Sequence, residues 1–392
     1  MKWETVRFGD LYIVESRNGL TKPGKVRGSG YKMINMGELF ANNRIYDIPM
    51  ELVPLKESEK VNAKVECGDL LFARQSLVLE GAGKCSIVME VSPLTVFESH
   101  LIRIRLDTAK ALPLFYYYYF QSSLSPMRSI VSQCAQAGIR GSDLQELRVI
   151  LPPLKKQQGI ANILSAYDDL IENNQKQIKL LEEAAQRLYK EWFVDLRFPG
   201  HENVKIVDGV PEGWKRERLV DLVKVQYGYA FDGSLFNSTG EGMPIVRIRN
   251  IPSGNTEDYT TEEANSQYIV HNGDILVGMD GEFYINSWSG FDAYLVQRTC
   301  SFRPNNPNMK GFLLQAIHEP IKYFEKTVVG ATVAHLGKKH IDTITILTGP
   351  DELYVPFKHF FEGRQLLLNQ NHLLVEVRDR LLSKLMSGEI EV

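Results

Sequence analysis

Cysteine is scarce in this sequence of 392 residues, and long hydrophobic runs are missing. The four cysteines (Cys67, Cys85, Cys134 and Cys300) are scattered without a C-x-x-C pair, and the eight histidines show no metal-ligand spacing. A zinc site or a disulfide framework is therefore not indicated. No segment approaches the length of a transmembrane helix, and residues 1–4 lack the apolar stretch of a signal peptide. We expect a cytoplasmic protein with reduced thiols and no metal.

Signatures of nucleotide chemistry are also missing. No G-x-x-x-x-G-K-[ST] loop for ATP is present. An adenine methyltransferase needs a polar residue before a Pro-Pro pair and an aromatic residue after it, beside the flipped base. The only such pair, Pro152-Pro153, has leucine on both sides. Pro350-Asp351 lacks the Glu-x-Lys of a nuclease and is interpreted as a helix start. We expect no catalytic residue and no cofactor.

Charge is nearly balanced overall, with a formal net charge of −3, but it is unevenly distributed. Residues 1–140 carry 18 Lys and Arg against 14 Asp and Glu, whereas residues 200–350 carry 14 against 18. A phosphate backbone responds to a local basic face rather than to the total. The charge pattern therefore neither predicts nor excludes binding to a nucleic acid.

Internal self-similarity is the strongest feature of the chain. In each half a Gly-Asp turn precedes an apolar strand, at Gly68-Asp69 and at Gly273-Asp274. Later positions match at a constant offset of 197. Examples of these matches are Leu144 with Ile341, Val149 with Ile346, Pro153 with Pro350, and Asn174 with Asn371. The pattern predicts two copies of one unit, each consisting of a globular domain followed by a helix.

The two helices are predicted to be unusually long. Apolar or core-like residues recur from Ile160 to Trp192 at alternating spacings of four and three, which is a heptad seam. The second helix has apolar columns seven residues apart from Phe360 to Leu382. A helix of roughly 35 residues spans about 50 Å, which is typical of a spacer or a coiled coil. We predict an intramolecular antiparallel pair that holds the two globular units apart, with two ordinary core helices as the alternative.

Two asparagines interrupt this apolar seam. Asn174 and Asn371 occupy equivalent positions of the repeat. In an antiparallel pair, opposite residues have a constant sum of numbers. Setting Asn174 opposite Asn371 gives a sum of 545, which places Ile160 near Leu385 and Leu188 near Phe357, both apolar pairs. A buried amide needs a hydrogen-bond partner, so this register predicts that the two amides pair. The alternative is that both lie at the edge of the seam and meet water.

Several motifs carry a resemblance to a known family. They are Leu151-Pro152-Pro153-Leu154, Gln157, the heptads from Asp168 to Phe193, and the C-terminal runs 378–382 and 385–390. The arrangement resembles the specificity subunit of type I DNA restriction–modification enzymes over the whole chain. It departs from the family pattern at Lys156, where glutamate is usual, at Ser383, where proline is common, and in the second copy, which has Gly349-Pro350-Asp351 and no glutamine.

The repeat and the resemblance together imply an α+β fold. Two duplicated target-recognition domains would be separated by two long helices forming an antiparallel coiled coil with pseudo-two-fold symmetry. The expected division is 1–150 and 200–350 for the domains, and 151–199 and 351–392 for the spacer helices.

The resemblance also implies a function. It implies a non-catalytic subunit that binds double-stranded DNA, two methyltransferase subunits and ATP-dependent restriction subunits. Each domain would read one half of a split, asymmetric target and so direct adenine methylation and restriction. A coiled-coil scaffold without a nucleic-acid role and a standalone DNA-modifying enzyme are the alternatives.

Candidate DNA contacts lie in loops that follow strand ends and in glycine-containing segments. Arginine and glutamine can contact guanine and adenine edges, aspartate can accept from cytosine, and exposed cations can position phosphates. Solvated loop residues are the alternative. The candidates are Lys22, Lys25 and Arg27; Arg74, Gln75 and Ser76; Arg247, Arg249 and Asn250, expected to alternate on a strand; Asp280; and Arg140, Thr332, His335, Lys338 and Lys339, which precede the last strand of each domain. The run Tyr116–Tyr119 is interpreted as a buried helix rather than a base-stacking platform.

Overall fold

A computed structural model describes residues 3–133, 137–327 and 334–392. It confirms the α+β class, because helices and short strands occur together along the chain. The chain divides into two compact units. The first unit comprises Met1–Asp169 and Glu376–Val392, and the second unit comprises Leu170–Val375. None of the described helices is long and apolar enough to cross a membrane.

The elements of the first half are short until the long helix. The strands are β1 Glu4–Arg7, β2 Tyr12–Asn18, β3 Tyr31–Ile34, β4 Arg44–Ile45, β5 Glu51–Val53, β6 Leu70–Ala73, β7 Gln75–Ser76, β8 Cys85–Val88, β9 Val96–Phe97, β10 Leu101–Leu106, β11 Ser132–Gln133, β12 Ala137–Gly138 and β13 Arg148–Leu151. The α-helices are α1 Met36–Ala41, α2 Glu57–Asn62, α3 Pro113–Gln121, α4 Gly141–Glu146 and α5 Leu154–Tyr189.

The second half follows the same plan. Its strands are β14 Ile206–Val207, β15 Val210–Pro211, β16 Lys215–Arg218, β17 Val223–Tyr227, β18 Phe236–Asn237, β19 Met243–Val246, β20 Tyr259–Thr260, β21 Ile269–Val270, β22 Ile275–Gly278, β23 Ile285–Ser287, β24 Ala293–Leu295, β25 Thr299–Pro304 and β26 Thr345–Thr348. Its α-helices are α6 Leu219–Leu222, α7 Lys310–Ala316, α8 His318–Thr327, α9 Lys338–Ile341 and α10 Val355–Ser387.

A five-stranded sheet carries the core of the first unit, in the order β2-β10-β6-β8-β4. Strand β6 is entirely buried, and its residues Leu70–Ala73 pair antiparallel with 101–104 of β10. Helix α3 packs against this sheet in the same core as Phe8 and Phe72. The prediction that Tyr116–Tyr119 form a buried helix is confirmed, since none of the four is more than 3 % exposed.

The second unit repeats this architecture. Its central sheet has the order β17-β25-β22-β23, and β19 pairs in parallel with β24, as β3 does with β9. The last strand of each unit forms a two-stranded ribbon with an early strand, β13 with β1 and β26 with β16. The predicted duplication is therefore confirmed in the pairing of the strands.

The repeated Gly-Asp turn anchors the central strand of each unit. Asp69 is fully buried and receives two hydrogen bonds from Arg105 of β10, Nε to Oδ1 at 2.7 Å and Nη2 to Oδ2 at 2.8 Å. Asp274 accepts one from the Nε of Arg303 of β25 at 2.9 Å. The preceding glycines have φ values of 88° and 82°, a left-handed conformation that favours glycine. Each ion pair ties the start of β6 or β22 to its neighbouring strand.

The two prolines of the first unit convert strand into helix, as predicted. Strand β13 ends at Leu151, and α5 begins at Leu154. The corner is completed by Gln157, which is fully buried: its side-chain oxygen accepts from the Leu112 amide at 2.8 Å, and its nitrogen donates to the Pro152 carbonyl at 2.8 Å. In the second unit Pro350 leads through a 3-10 turn into α10, which confirms that Pro350-Asp351 is a helix start.

Helices α5 and α10 run antiparallel where they pack in the second unit. The Asn174 amide nitrogen donates to Oδ1 of Asn371 at 2.9 Å and to Oε1 of Gln370 at 3.1 Å. About two turns further along α5, Glu182 accepts from Nε of Arg364 at 2.6 Å. Numbers rise along one helix as they fall along the other, and Asn174 is only 5 % exposed. The predicted register and asparagine pair are confirmed.

The same two helices also meet in the first unit. There Arg378 of α10 donates to Asp168 of α5 at 2.8 Å, and the Tyr118 hydroxyl donates to the other oxygen of Asp168 at 2.6 Å. Asp168 is 6 % exposed, so both partners are needed to compensate its burial. Ile160 and Leu385 are buried in this same core, as the predicted register requires.

We expect Asn174→Leu to lower the free energy of unfolding by about 1–2 kcal/mol, because it leaves the Asn371 amide against an apolar side chain. Changing both asparagines to leucine should restore at least the stability of the unaltered protein, since no unpaired amide remains. Urea unfolding of the full chain measures both effects, and Asn162→Leu on the exposed face of α5 is the control. A double variant less stable than the single one would contradict the role of the pair.

Candidate nucleic-acid interface

In the first unit, the loop after the central strand β6 is hydrogen-bonded to the segment that precedes the last strand, β13. The Ile139 amide donates to the Arg74 carbonyl at 3.0 Å, and β12 pairs with β7, so that Gly138 lies opposite Gln75. Candidate DNA contacts were predicted in both of these segments independently. The structure brings them together at one end of the central sheet.

The second unit has the equivalent backbone contact, between the loop after β22 and the segment that precedes β26. The Leu336 amide donates to the Met279 carbonyl at 2.7 Å. Beside it, the carboxylate of Asp280 is hydrogen-bonded to the imidazole of His335 at 2.5 Å. Asp280 and His335, two predicted site residues 55 positions apart, therefore contact each other directly.

An open groove of about 380 Å³, here called the first groove, lies over this end of the first unit. Its polar groups are an amide, a hydroxyl and an imidazole, and the remainder is apolar. Its lining residues are Met36, Phe40, Gln75, Ser76, Leu77 and His100. Because amide and hydroxyl groups can both donate and accept, this lining can form hydrogen bonds with base edges.

The corresponding second groove, of about 610 Å³, is rich in arginine, and two of its arginines pair with aspartates outside its lining. Three arginines, Arg247, Arg249 and Arg298, line it, and no carboxylate does so among the described residues. Arg249 pairs with Asp258, while the Arg247 guanidinium lies 5.6 Å from the ring centre of Phe236. A concave basic surface of this kind attracts a polyanion.

The two grooves occupy equivalent places in the repeat. His100 and Arg298 each stand one position before the strand that pairs with the central strand, β10 or β25. Helix α1, beginning at Met36, and the turn beginning at Ile248 follow equivalent strands, β3 and β19. One backbone framework thus presents different side chains in the two units, and neither His100 nor Arg298 was among the predicted site residues.

Comparison with known proteins identifies the family. The family model for the type I restriction modification DNA specificity domain matches residues 1–183 and 211–352. The chain belongs to this family. The matched residues include the lining of both grooves, which places both grooves in DNA specificity domains, and the chain is a specificity subunit of type I restriction–modification systems.

Individual relatives agree with this assignment. The MjaIX specificity subunit of Methanocaldococcus jannaschii is 25 % identical over 349 residues, covering 83 % of this chain and 80 % of that protein. The EcoKI specificity subunit of Escherichia coli is 31 % identical over 167 residues, covering 41 % and 36 %. A crystal structure of the S subunit of a type I restriction-modification system from M. genitalium shares the fold, with a TM-score of 0.56 and 16 % identity over 98 % of this chain and 96 % of that one.

One expectation for this specificity subunit is wrong. Arg247, Arg249 and Asn250 do not alternate on a strand, because β19 ends at Val246 and the chain turns into a 3-10 helix at 248–250. The turn forms because Oδ1 of Asn250 accepts from the Arg247 amide at 2.8 Å and caps it. Asn250 is only 9 % exposed. Of the three residues, the two arginines face the groove.

The basic segment at 22–27 has a largely structural environment. Lys22 pairs with Glu59 at 2.7 Å, and the Arg27 guanidinium pairs with Glu51 and donates to Asn35 at 3.3 Å. Lys25, in contrast, is exposed. These contacts hold the segment beside the start of α1, which lines the first groove.

The remaining predicted residues lie in the loops that follow the central strands or in the segments that precede the last strands. Arg140 is exposed just before α4, and Lys338 and Lys339 are exposed at the start of α9. Arg74 is half-buried, and its backbone holds the loop. Thr332 lies outside the described residues, as does Cys134.

If the first groove reads DNA, the pair of substitutions Gln75→Ala and His100→Ala should weaken binding. We expect a loss of about tenfold or more, since one good base contact contributes about 1–3 kcal/mol of discrimination. Fluorescence anisotropy measures the loss on a duplex that the unaltered full chain selects from a randomised library. The pair Gln158→Ala and His359→Ala, both exposed and outside the grooves, is the control. Equal affinity of the two double variants would exclude the first groove as a contact surface.

Proposed function

We propose that this specificity subunit reads a bipartite, asymmetric double-stranded DNA target, one half in each groove. The observation that carries the proposal is the repeated framework with unlike side chains. Gln75, Ser76 and His100 line one groove, whereas the equivalent part of the other carries Arg298 beside Asp280. Two equivalent frames with different hydrogen-bonding groups would recognise two different base sequences.

Within this proposal the predicted residues have different roles. The groove residues Gln75, Ser76, His100, Arg247 and Arg298 contact base edges. Exposed cations outside the grooves contact phosphates and set the orientation of the duplex; they are Lys25, Arg140, Lys338 and Lys339. The paired residues hold the framework of the grooves; they are Lys22, Arg27, Arg249 and Asn250.

The chain would act with partner subunits and without catalysis of its own. We propose that two methyltransferase subunits and ATP-dependent restriction subunits, in the cytoplasm, carry out adenine methylation and cleavage at the site that this chain selects. The outer face of α10 supports docking of a protein, because Leu366 and Leu373 lie seven positions apart and are 68 % and 59 % exposed. A scaffold without a nucleic-acid role would leave the basic second groove without a use.

Within this proposal, each expected domain or helix has one role. Residues 1–150 and 200–350 would be the two target-recognition domains, and 151–199 and 351–392 the helical connections. The first core also contains Leu385 and Met386 of α10. A domain exchange must therefore retain apolar residues that pack on this helix.

Replacing residues 1–150 by the first domain of another specificity subunit should change only one half of the recognised sequence. Each groove is built from residues of its own unit, so the other half should stay as it was. Mapping methylated adenines across the genome of cells that supply the methyltransferase subunit gives both halves at once. Reinserting the original residues 1–150 is the control, and a change in both halves would contradict independent reading.

The purified chain alone should neither methylate nor cleave DNA in the presence of S-adenosylmethionine and ATP. The reason is that the sequence carries no motif for binding either cofactor. Transfer of labelled methyl groups and gel analysis of supercoiled plasmid test the two activities. Activity that co-elutes with the chain through successive columns would show that it is itself an enzyme.

A further inference from the structure

Arg298 has an unusual backbone conformation at the edge of the second groove. Its φ is 67°, in the left-handed region, and only two other non-glycine residues among those described, Leu196 and Asp208, share a positive φ. An L-residue with a Cβ atom is disfavoured there, which is why glycine usually occupies such positions. Arg298 is thus held in a conformation that its own side chain opposes.

Hydrogen bonds hold the backbone on both sides of this residue. The Gln297 amide donates to the Tyr229 carbonyl at 2.7 Å, and the Arg298 carbonyl accepts from the Met279 amide at 2.9 Å. The next residue, Thr299, is already in register with Gly278 of β22. The backbone is therefore fixed on both sides of Arg298.

The fold itself does not require this strain. The equivalent position of the first unit is His100, and among the described residues it is not one of those with a positive φ. A glycine would relieve the strain at Arg298, yet the chain has an arginine. The strained conformation therefore comes with an arginine side chain placed at the edge of the second groove.

The guanidinium is oriented by a carboxylate. Oδ2 of Asp280 lies 3.4 Å from Nε of Arg298, while Oδ1 of Asp280 is hydrogen-bonded to Nδ1 of His335. The carboxylate thus bridges the imidazole and the inner edge of the guanidinium. Nη2 of Arg298 has no hydrogen-bond partner among the described residues, and the side chain is 57 % exposed. Nη1 of Arg298 lies 3.4 Å from Nδ1 of His335, but each terminal nitrogen carries two N–H groups, so the exposed end of the guanidinium can still form two parallel hydrogen bonds.

We propose that Arg298 is the residue by which the second unit selects a guanine, through paired hydrogen bonds from its guanidinium to O6 and N7 of the base. Asp280 is a positioning residue that orients it. This inference rests on the proposed reading of DNA by the second unit. Three observations carry it: the basic lining of the groove, the strained backbone, and the carboxylate on the inner edge. Arginine that is bidentate to guanine is the commonest specific contact in the major groove.

Two substitutions separate base reading from charge and from structure. Arg298→Lys keeps the positive charge but loses the planar fork, and Arg298→Gly removes the side chain while relieving the left-handed strain. Arg216→Lys, at an exposed position of β16 outside the groove, is the matched control. Each full-length variant is used to select duplexes from a randomised library, and its melting temperature is measured.

We expect the unaltered chain to enrich a guanine at one position of one half-site. Both Arg298 variants should lose the preference for that guanine by about tenfold or more and keep every other preference. Arg298→Gly should melt at the same temperature as the unaltered chain or higher. Asp280→Asn should weaken the same preference without shifting any other position. The control should match the unaltered chain.

Other results overturn the proposal in distinguishable ways. Unchanged selectivity in both Arg298 variants would show that another residue reads the second half-site, and the proposed function would stand. An equal loss of affinity for all sequences would make Arg298 a phosphate contact. No enrichment of any sequence by the unaltered chain would overturn both this inference and the proposed function.

Discussion

The buried ion pair at the Gly-Asp turn is the interaction on which each unit depends. Asp69 with Arg105, and Asp274 with Arg303, lock the start of the central strand to the far end of the strand beside it. Because that pairing is antiparallel, the same lock fixes the opposite end, where Ala73 faces Leu101 and Gly278 faces Thr299. A slip of one residue would turn every side chain to the other face of the sheet. The positions of the groove residues just beyond that end therefore depend on the ion pair at the other end of the central strand.

This arrangement separates stability from recognition. The hydrogen bond from Arg74 to the carbonyl of His100, at 2.8 Å, involves only backbone atoms. The equivalent connection in the second unit, from the Met279 amide to the Arg298 carbonyl, is also made by backbone alone. Side chains at these positions can change without loosening the framework. That is the property expected of a domain whose fold is repeated while its target differs.

Much of this organisation could be predicted from sequence because it depends on local chemistry or on periodicity. The heptad seam predicted the long helices, and the equivalent positions of Asn174 and Asn371 in the repeat indicated the pairing that a 2.9 Å hydrogen bond confirms. The Gly-Asp turns were visible because each needs a left-handed glycine. Proline marked the corner between strand and helix because it cannot continue either element.

The candidate site was only partly predictable, because it depends on register and on partners distant in sequence. His100 and Arg298 gave no local signal, and they reach the grooves through pairing with strands more than twenty residues away. The alternation of Arg247 and Arg249 resembled a strand, but the capping amide of Asn250 turns the backbone at that point. Lys22 and Arg27 resembled free cations because their partners, Glu59 and Glu51, lie in other elements. Charge in a loop can be read from sequence, but the acid that neutralises it cannot.

The polar contacts within the helix pair follow a different physical logic from the grooves. Apolar columns seven residues apart would tolerate a shift of one heptad, since leucine would still meet leucine. Such a shift would separate Asn174 from Asn371 and Glu182 from Arg364 in the second unit, leaving buried or half-buried polar groups unpaired. In the first unit it would break the contact between Asp168 and Arg378. Each contact adds little stability after desolvation, but each makes the shifted registers unfavourable. The helices are thus held in a single register by polar groups that contribute little to the stability of the pair.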